Sequence, residues 1–403
     1  MKKIILLFIA VIGCYYANAQ QGNIKVPKLG KGLTSKQIVE YLASDELAGR
    51  APGTEGDTLA SKFIYNQMKK LKLKPKVSDF GLKNWDYKTN NIYGIIKGKT
   101  NKYIVVGAHY DHLGMGGKGT GSRRIDTLAV HNGADDNASG VAGMLNIAKK
   151  YAKKKKMDVG LIFVAFGAEE KGIVGSKKFM DCIKDYNVMA MINLDMIGNL
   201  RNNAITVGGT GTAKEMDTII SMASKNFGDA FRISRSKQGH GPSDHSSFYA
   251  KGIPVVYITT GATMDYHTPE DDAYKLNYSG LDSVAHFASL IIDQFQKYPN
   301  GLTFTETAAP AGGSMMRSFK VTLGLMPDFT GQVENGLRAD IVVKGKPAHT
   351  AGIRNGDIIT HINDVKLNNI EEYMKCLEAL EKNTVAVVKV LRDNKELTFN
   401  VQL

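Results

Sequence analysis

The longest apolar runs of the chain show almost no alternation with polar residues. Six of them read as strands: "NIYGII" (91–96), "YIVVGAH" (103–109), "VGLIFVAF" (159–166), "VMAMINLD" (188–195), "AITVGG" (204–209) and "IPVVYIT" (253–259). Their β-branched residues and continuous apolar character suit strands covered on both faces. Between them, apolar residues recur at helical spacing near 138–152, 172–184, 213–226, 244–250 and 279–297. Ahead of the first strand, residues 34–45 begin with hydroxyl caps and continue at helical spacing. A turn rich in Gly and Pro follows ("AGRAPGTEG", 48–56), then a second amphipathic helix to about Leu71. Strands alternating with helices predict an α/β fold, a mostly parallel mixed sheet sandwiched by helices.

Around 298–318 the pattern stops. "YPNGLTFTETAAPAGGSMMRS" has no period and is read as a linker, with boundaries at 299–318. Residues 319–403 then carry short strands and one helix (369–383), enough for a small domain. In "AGIRNGDIITHIND", Gly356-Asp357 opens a strand pair and Asn363-Asp364 turns it.

The first residues belong to neither domain. "MKKIILLFIAVIGCYYANAQ" has a basic start, an apolar stretch too short to span a bilayer, and a small-residue site at Ala17-Asn18-Ala19. It predicts a signal peptide over 1–19, a large domain over 20–298, and export to the periplasm or medium. A second reading takes Val11-Ile12-Gly13-Cys14 as a lipobox, which would anchor the protein to a membrane through a lipidated Cys14. No other segment is long and apolar enough to cross a membrane.

Cleavage after residue 19 removes Lys2 and Lys3 and takes the formal charge from +13 to +11. The lysines lie in surface-like runs such as "KKYAKKKK" (149–156), without interleaved aromatic residues, so no nucleic-acid partner is expected. Only Cys182 and Cys376 remain beyond the leader, too few for a disulfide framework.

Candidate chemistry gathers at strand ends. The run at 162–174, "IFVAFGAEEKGIV", finishes a buried strand with adjacent Glu169 and Glu170. Two carboxylates that close repel, and burial strengthens the repulsion. Such a pair either starts a helix or faces a cation. His109 and Asp111 follow "YIVVGA", and Asp195 follows "AMINL". In open α/β sheets ligands bind at that edge. Asp136 in "GADDNASG" and His267 in "YHTPED" stand in loops. Singly, each is as well explained as a turn or cap residue. Together, imidazole and carboxylate without thiolate suit a zinc site.

The order H-x-D, G-A-D-D-N-A-S-G, E-E-x-G, L-D-M, Y-H-T-P-E-D resembles the di-zinc exopeptidases typified by secreted bacterial leucine aminopeptidase and glutamate carboxypeptidase II. "DELAGRAPGTEG" (45–56) is similar to that family too, and the resemblance spans roughly 34–298. It implies the zinc exopeptidase fold, two Zn2+ per chain and peptide substrates. Asp136 would bridge the ions; His109 and Asp195 would hold one, Glu170 and His267 the other. Glu169 would be the general base, Asp111 would orient His109, and Tyr266 would stabilise the oxyanion. The peptide after Asp136 would be cis. An aminopeptidase is the expected activity, with a carboxypeptidase, a dipeptidase or a non-catalytic peptide-binding protein as alternatives.

Two departures carry further expectations. The basic insertion 113–134 reads as a flexible surface loop, or else as a cleft rim whose Arg123 and Arg124 favour acidic substrates. His112, His131, His240 and His245 match no ligand position of the family. Residues 319–403 in turn resemble a PDZ domain, a small β-barrel-like module. There Thr322, Leu323, Gly324 and Leu325 would present backbone N–H groups to a peptide C-terminus, and the peptide would add as a strand.

Overall fold

The computed structural model describes residues 32–82, 87–154, 156–307, 321–327, 333, 335–368 and 370–403. The expected leader, Cys14 and most of the expected linker lie outside these residues.

Helix α1 (Ser35–Leu42) is opened by a capping box, in which Thr34 and Gln37 satisfy each other's backbone N–H. A 3-10 segment (Asp45–Arg50) leads to α2 (Glu55–Lys70), which has Thr54 as its cap, acidic residues in its first turn and lysines in its last. Then come β1 (Lys76–Gly81), β2 (Lys88–Ile96), β3 (Lys102–His109), α3 (Gly140–Tyr151), β4 (Gly160–Phe166), α4 (Val174–Cys182) and β5 (Asn187–Leu194). The peptidase-sized unit continues with β6 (Ala204–Gly208), α5 (Met216–Asn226), β7 (Arg232–Arg235), α6 (His245–Tyr249), β8 (Val255–Thr259) and α7 (Tyr278–Phe295).

The eight strands form one sheet in the order β1-β2-β4-β3-β5-β8-β6-β7. Its centre, β4-β3-β5-β8, is parallel. Strand β2 runs antiparallel to β4, and β6 antiparallel to β8. Every residue of β4 is buried, as its unbroken apolar run requires. Phe166 meets Phe179 of α4 and Phe248 of α6 edge-on, at 5.6 and 6.1 Å, on one face of the sheet. Helix α3 packs on β3 and on α7, and α5 packs on α7, where Phe287 meets Phe227 and Phe231 edge-on.

The packed chain runs past the expected boundary at 298. Phe304 bridges to Ala213, the Thr305 N–H donates to Thr212, and Thr307 bonds Tyr249. Residues 299–307 therefore belong to the first domain's surface and not to a linker. Phe304 and Thr305 pair through their backbone with residues 212–213, and the Thr303 and Thr307 hydroxyls meet Glu215 and Tyr249, contacts without apolar periodicity to announce them.

In the C-terminal region β9 (Leu325–Pro327), β10 (Leu337–Val342), β11 (Ile358–Ile362), β13 (Val385–Arg392) and β14 (Lys395–Gln402) form a sheet in the order β14-β13-β11-β10-β9, with β12 (Val365–Lys366) beside β11. Helices α8 (Pro347–Ala351) and α9 (Ile370–Ala379) accompany it. Strand β9 pairs with β10 and lies at the sheet edge among the described residues. Beside it, the Gly324 N–H is already donated to the Thr322 hydroxyl at 3.0 Å. One of the N–H groups expected to receive a peptide carboxylate is thus occupied by the side chain of the loop itself.

Phe287→Ala removes a fully buried ring at the α5–α7 contact, a change that costs about 3–5 kcal/mol. A clear fall in the urea midpoint of the first domain is expected, with metal content unchanged; an unaltered midpoint would contradict this packing.

Candidate active site

Parallel strands bring their carboxyl ends to one edge, and that geometry assembles the site. His109 is the last residue of β3, Asp195 follows β5 directly, and Glu169 and Glu170 lie just past β4. His267 comes from the loop after β8, and Asp136 from the irregular turn before α3. The Asp136–Asn137 peptide is cis, as the resemblance implies.

Asp136 stands between two groups. Its Oδ1 is 3.3 Å from His109 Nε2, which is also 3.6 Å from Asp195 Oδ1. Its Oδ2 is 3.1 Å from His267 Nε2, which is also 3.2 Å from Glu170 Oε1. A tetrahedral ion about 2.0–2.1 Å from each ligand sets neighbouring ligand atoms about 3.3 Å apart. Both groups have that spacing. Asp195 Oδ1 is buried without a hydrogen-bond partner, as a group reserved for a cation would be. The donor set and its spacing therefore fit zinc.

The glutamate doublet is split by its surroundings. Glu170 has two imidazoles within 4.0 Å, His267 and His112, and Glu169 has none among the described residues. Burial, the largest single influence, raises the Glu170 pKa, but the charge of His267 and the hydrogen bonds from His112 and His267 together bring the group down to about 2. Glu169 is pushed well above its ordinary value, first by burial. Neighbouring carboxyl groups with pKa values driven apart suit one ligand and one proton carrier.

Asp111 differs from expectation. Its carboxylate accepts the N–H groups of Glu169 and Glu170, at 2.9 and 3.2 Å, and is 3.8 Å from His109 Nδ1. His109 Nδ1 instead faces the Asp111 backbone carbonyl at 3.3 Å. Two backbone N–H groups converging from one turn hold the carboxylate, so Asp111 orients the doublet and its carbonyl orients His109. Tyr266 stacks on His267 with ring centroids 3.9 Å apart. Burial first, then the surrounding carboxylates, raise its pKa far above the ordinary phenol value, so it remains a proton donor.

Asp135 and Asp136 have separate duties. The Asp135 carboxylate accepts from the Gly198 N–H and from Asn199 Nδ2, which ties the turn to the segment after β5. Asp271 accepts the N–H groups of both aspartates, leaving the Asp136 carboxylate free.

Four contributors had no assigned role at the sequence level. His112, outside the family's ligand positions, is buried with Nδ1 3.0 Å from Glu170 Oε1, and with Asp136 and Glu170 it forms a second possible ligand trio. Its place three residues after His109 was the available signal. Ser243 donates to Asp195 Oδ2 at 2.6 Å. Asp244 is buried with both carboxylate oxygens unpartnered. Arg50 is fully buried and donates to the backbone carbonyls of Leu42, Tyr110, Asn132 and Gly133. Burial lowers its pKa to about 10, against the pull of Asp111, Asp271, Asp136 and Glu170, so it stays a cation at neutral pH. It lies within "DELAGRAPGTEG", but no pattern reveals that an arginine will point inward.

Residues 91–292 match the model of peptidase family M28, and residues 328–403 that of a PDZ domain. "Aminopeptidase YwaD" of Bacillus subtilis strain 168 is 27% identical over 274 residues, covering 64% of this chain; the match spans 56% of the relative's length. A "Probable leucine aminopeptidase" of Arthroderma otae is 26% identical over 271 residues, 64% of this chain and 72% of the relative. Among solved structures, the zinc aminopeptidase BSAP of Bacillus subtilis has a TM-score of 0.56 at 18% identity, covering 70% of this chain and 98% of that one. The glutaminyl cyclase of Porphyromonas gingivalis has a TM-score of 0.56 at 18% identity, covering 65% and 97%. At these identities the structural likeness shows a shared fold.

An ion held only by the folded state stabilises it, by about 2.7 kcal/mol at a hundred times its Kd. Chelation is therefore expected to lower the thermal midpoint of the purified protein, and added zinc to restore it. A midpoint indifferent to both would remove the metal from this site.

Proposed function

This chain belongs to peptidase family M28, and from that premise we propose that it is a zinc-dependent aminopeptidase that removes N-terminal residues from peptides. The observation that carries the reading is the Asp136 carboxylate set between two imidazole–carboxylate groups. His109 and Asp195 would hold one zinc, Glu170 and His267 the other, with Asp136 shared. Bound there, zinc acidifies water and polarises the scissile carbonyl. The chain's own groups do the rest. Glu169, held protonatable by its buried position, accepts the proton of the attacking water and delivers it to the leaving amine. The Tyr266 phenol donates to the carbonyl oxygen as charge develops there. Asp111 fixes the doublet through its N–H groups, and His112 orients the Glu170 carboxylate.

Cleavage polarity follows from the arginines. A carboxypeptidase needs a fixed cation for the terminal carboxylate. The guanidinium of Arg123 donates to the carbonyls of Met264 and Tyr266, Arg124 pairs with Glu270, and Arg201 donates to Ala262. These engagements, in a cleft rich in carboxylates, favour a substrate's free amine over its carboxylate.

Export is part of the proposal, on the strength of the leader at 1–19. No helix among the described residues is long and apolar enough to cross a membrane. The PDZ domain would add a peptide strand along the β9 edge, with its Thr322–Leu325 loop at the peptide's C-terminus.

Glu169→Gln is expected to cut turnover by about a hundredfold to ten-thousandfold with zinc content retained, whereas Glu170→Gln should lower zinc content. Equal zinc loss in both would reverse the division of labour. An aminoacyl arylamide should be cleaved and an N-acetylated peptide left intact; release of C-terminal residues from the acetylated peptide would establish the opposite polarity, and cyclisation of an N-terminal glutaminyl peptide a different reaction.

A further inference from the structure

The insertion 113–134 is not a loose surface loop. His131 is fully buried within it, with Nδ1 donating to the Ala129 carbonyl at 2.9 Å and Nε2 2.7 Å from the Ser122 hydroxyl. The Ser122 oxygen accepts the Arg124 N–H at 3.0 Å. The backbone of His131 donates to Gly114, and Gly114 in turn donates to Gly49. Gly116, at φ +68°, lies where a Cβ would come within 2.0 Å of the His131 ring. Its glycine is what lets the segment close over the imidazole.

From this folded segment, residues 121–123 grip the loop that carries His267. The Gly121 carbonyl is 3.1 Å from His267 Nδ1. The Arg123 N–H donates to the His267 carbonyl at 2.9 Å, and its guanidinium donates to the carbonyls of Met264 at 3.0 Å and Tyr266 at 3.3 Å. A carbonyl can only accept, so Nδ1 carries the proton. In the neutral ring, the Nε2 lone pair then points at Asp136 Oδ2 and Glu170 Oε1, at 3.1 and 3.2 Å. A lone pair aimed at two carboxylates calls for positive charge between them, which a bound metal ion supplies and which a proton on Nε2 supplies in its place. His267 also sits at φ +56°, a left-handed conformation that is unfavourable for a non-glycine residue and persists where its surroundings impose it.

We propose that the insertion is a clasp that positions the His267 imidazole for metal, with the Gly121 carbonyl fixing its tautomer and Arg123 as the positioning residue that holds the two loops together. The inference rests on the metal-site reading above. It assigns the insertion a task in the centre itself, where the sequence suggested only a loop or a rim.

Partners that orient metal-binding imidazoles typically contribute ten- to a hundredfold to metal affinity. The test uses the full-length protein, with zinc per chain after dialysis and zinc affinity by chelator competition, alongside kcat, KM and circular dichroism. The wild type is expected to hold two zinc ions. Arg123→Ala should weaken one of them about tenfold or more and leave the other unchanged, with kcat recovering as free zinc is raised. Arg123→Lys, which keeps the backbone bond and one cationic donor, should recover part of the loss. Arg124→Ala is the control, because it removes only an exposed ion pair. If Arg123→Ala perturbs the circular dichroism, Ser122→Ala serves instead: it loosens the His131 staple and should weaken the same ion less. Two ions of unaltered affinity in the folded Arg123 and Ser122 variants would overturn the clasp and leave the centre intact. A wild type that binds no zinc would instead overturn the metal-site reading.

Discussion

Everything at the carboxyl edge of the sheet follows from one constraint: too many buried carboxylates in too little space. Asp111, Asp135, Asp136, Asp195, Asp244 and Asp271 are all buried there, with Glu169 and Glu170 at their margin. Desolvation and mutual repulsion penalise every ionised member. The chain relieves three of them with its own backbone, by giving Asp111, Asp135 and Asp271 N–H groups to accept. Arg50 contributes one fixed cation beneath the cleft. Of the others, Asp136, Asp195 and Glu170 face imidazole nitrogens, and Asp244 is left without a partner. The metal-binding groups are thus drawn from the carboxylates to which the scaffold gives no backbone N–H.

That distribution explains which parts of the molecule were legible in the sequence. Strands buried on both faces announce themselves through unbroken apolar runs, so β3, β4, β5 and β8 and the residues at their ends could be read directly. Strands β1 and β7 could not. Both lie at sheet edges with mostly half-exposed or exposed residues, and their composition resembles that of loops. Direction was equally hidden: β2 and β6 are apolar like their parallel neighbours, and only chain connectivity makes them antiparallel. Within the site, side chains that reach outward from strand ends were recoverable by type and order. The pairing of Asp111 with backbone N–H groups was not, because backbone partners leave no mark on sequence. The same reason hides Arg50, whose four acceptors are all carbonyls.

The insertion shows composition misleading in a more specific way. Six glycines between 114 and 133 suggest slackness, yet most of these positions have positive φ and serve a tight path around a buried histidine. Glycine content reports the backbone angles a segment must visit, and here those angles belong to one conformation. In the C-terminal module the converse holds: a single hydroxyl, Thr322, changes what the loop at β9 presents, although the surrounding pattern is intact.

The acceptors of Arg50 have a bearing on how such an enzyme can diversify. Its guanidinium fastens Leu42, Tyr110, Asn132 and Gly133 by their main-chain oxygens, so the acceptors themselves do not depend on side-chain identity, although Gly133, at φ +55° against Asp136 and His112, is held to glycine on other grounds. The exposed side chains of the loops that frame the cleft can therefore change without renegotiating this anchorage. The arginine has no such freedom, since a lysine's single nitrogen does not span four separated carbonyls. One immovable residue underneath leaves the surface that meets substrate open to variation.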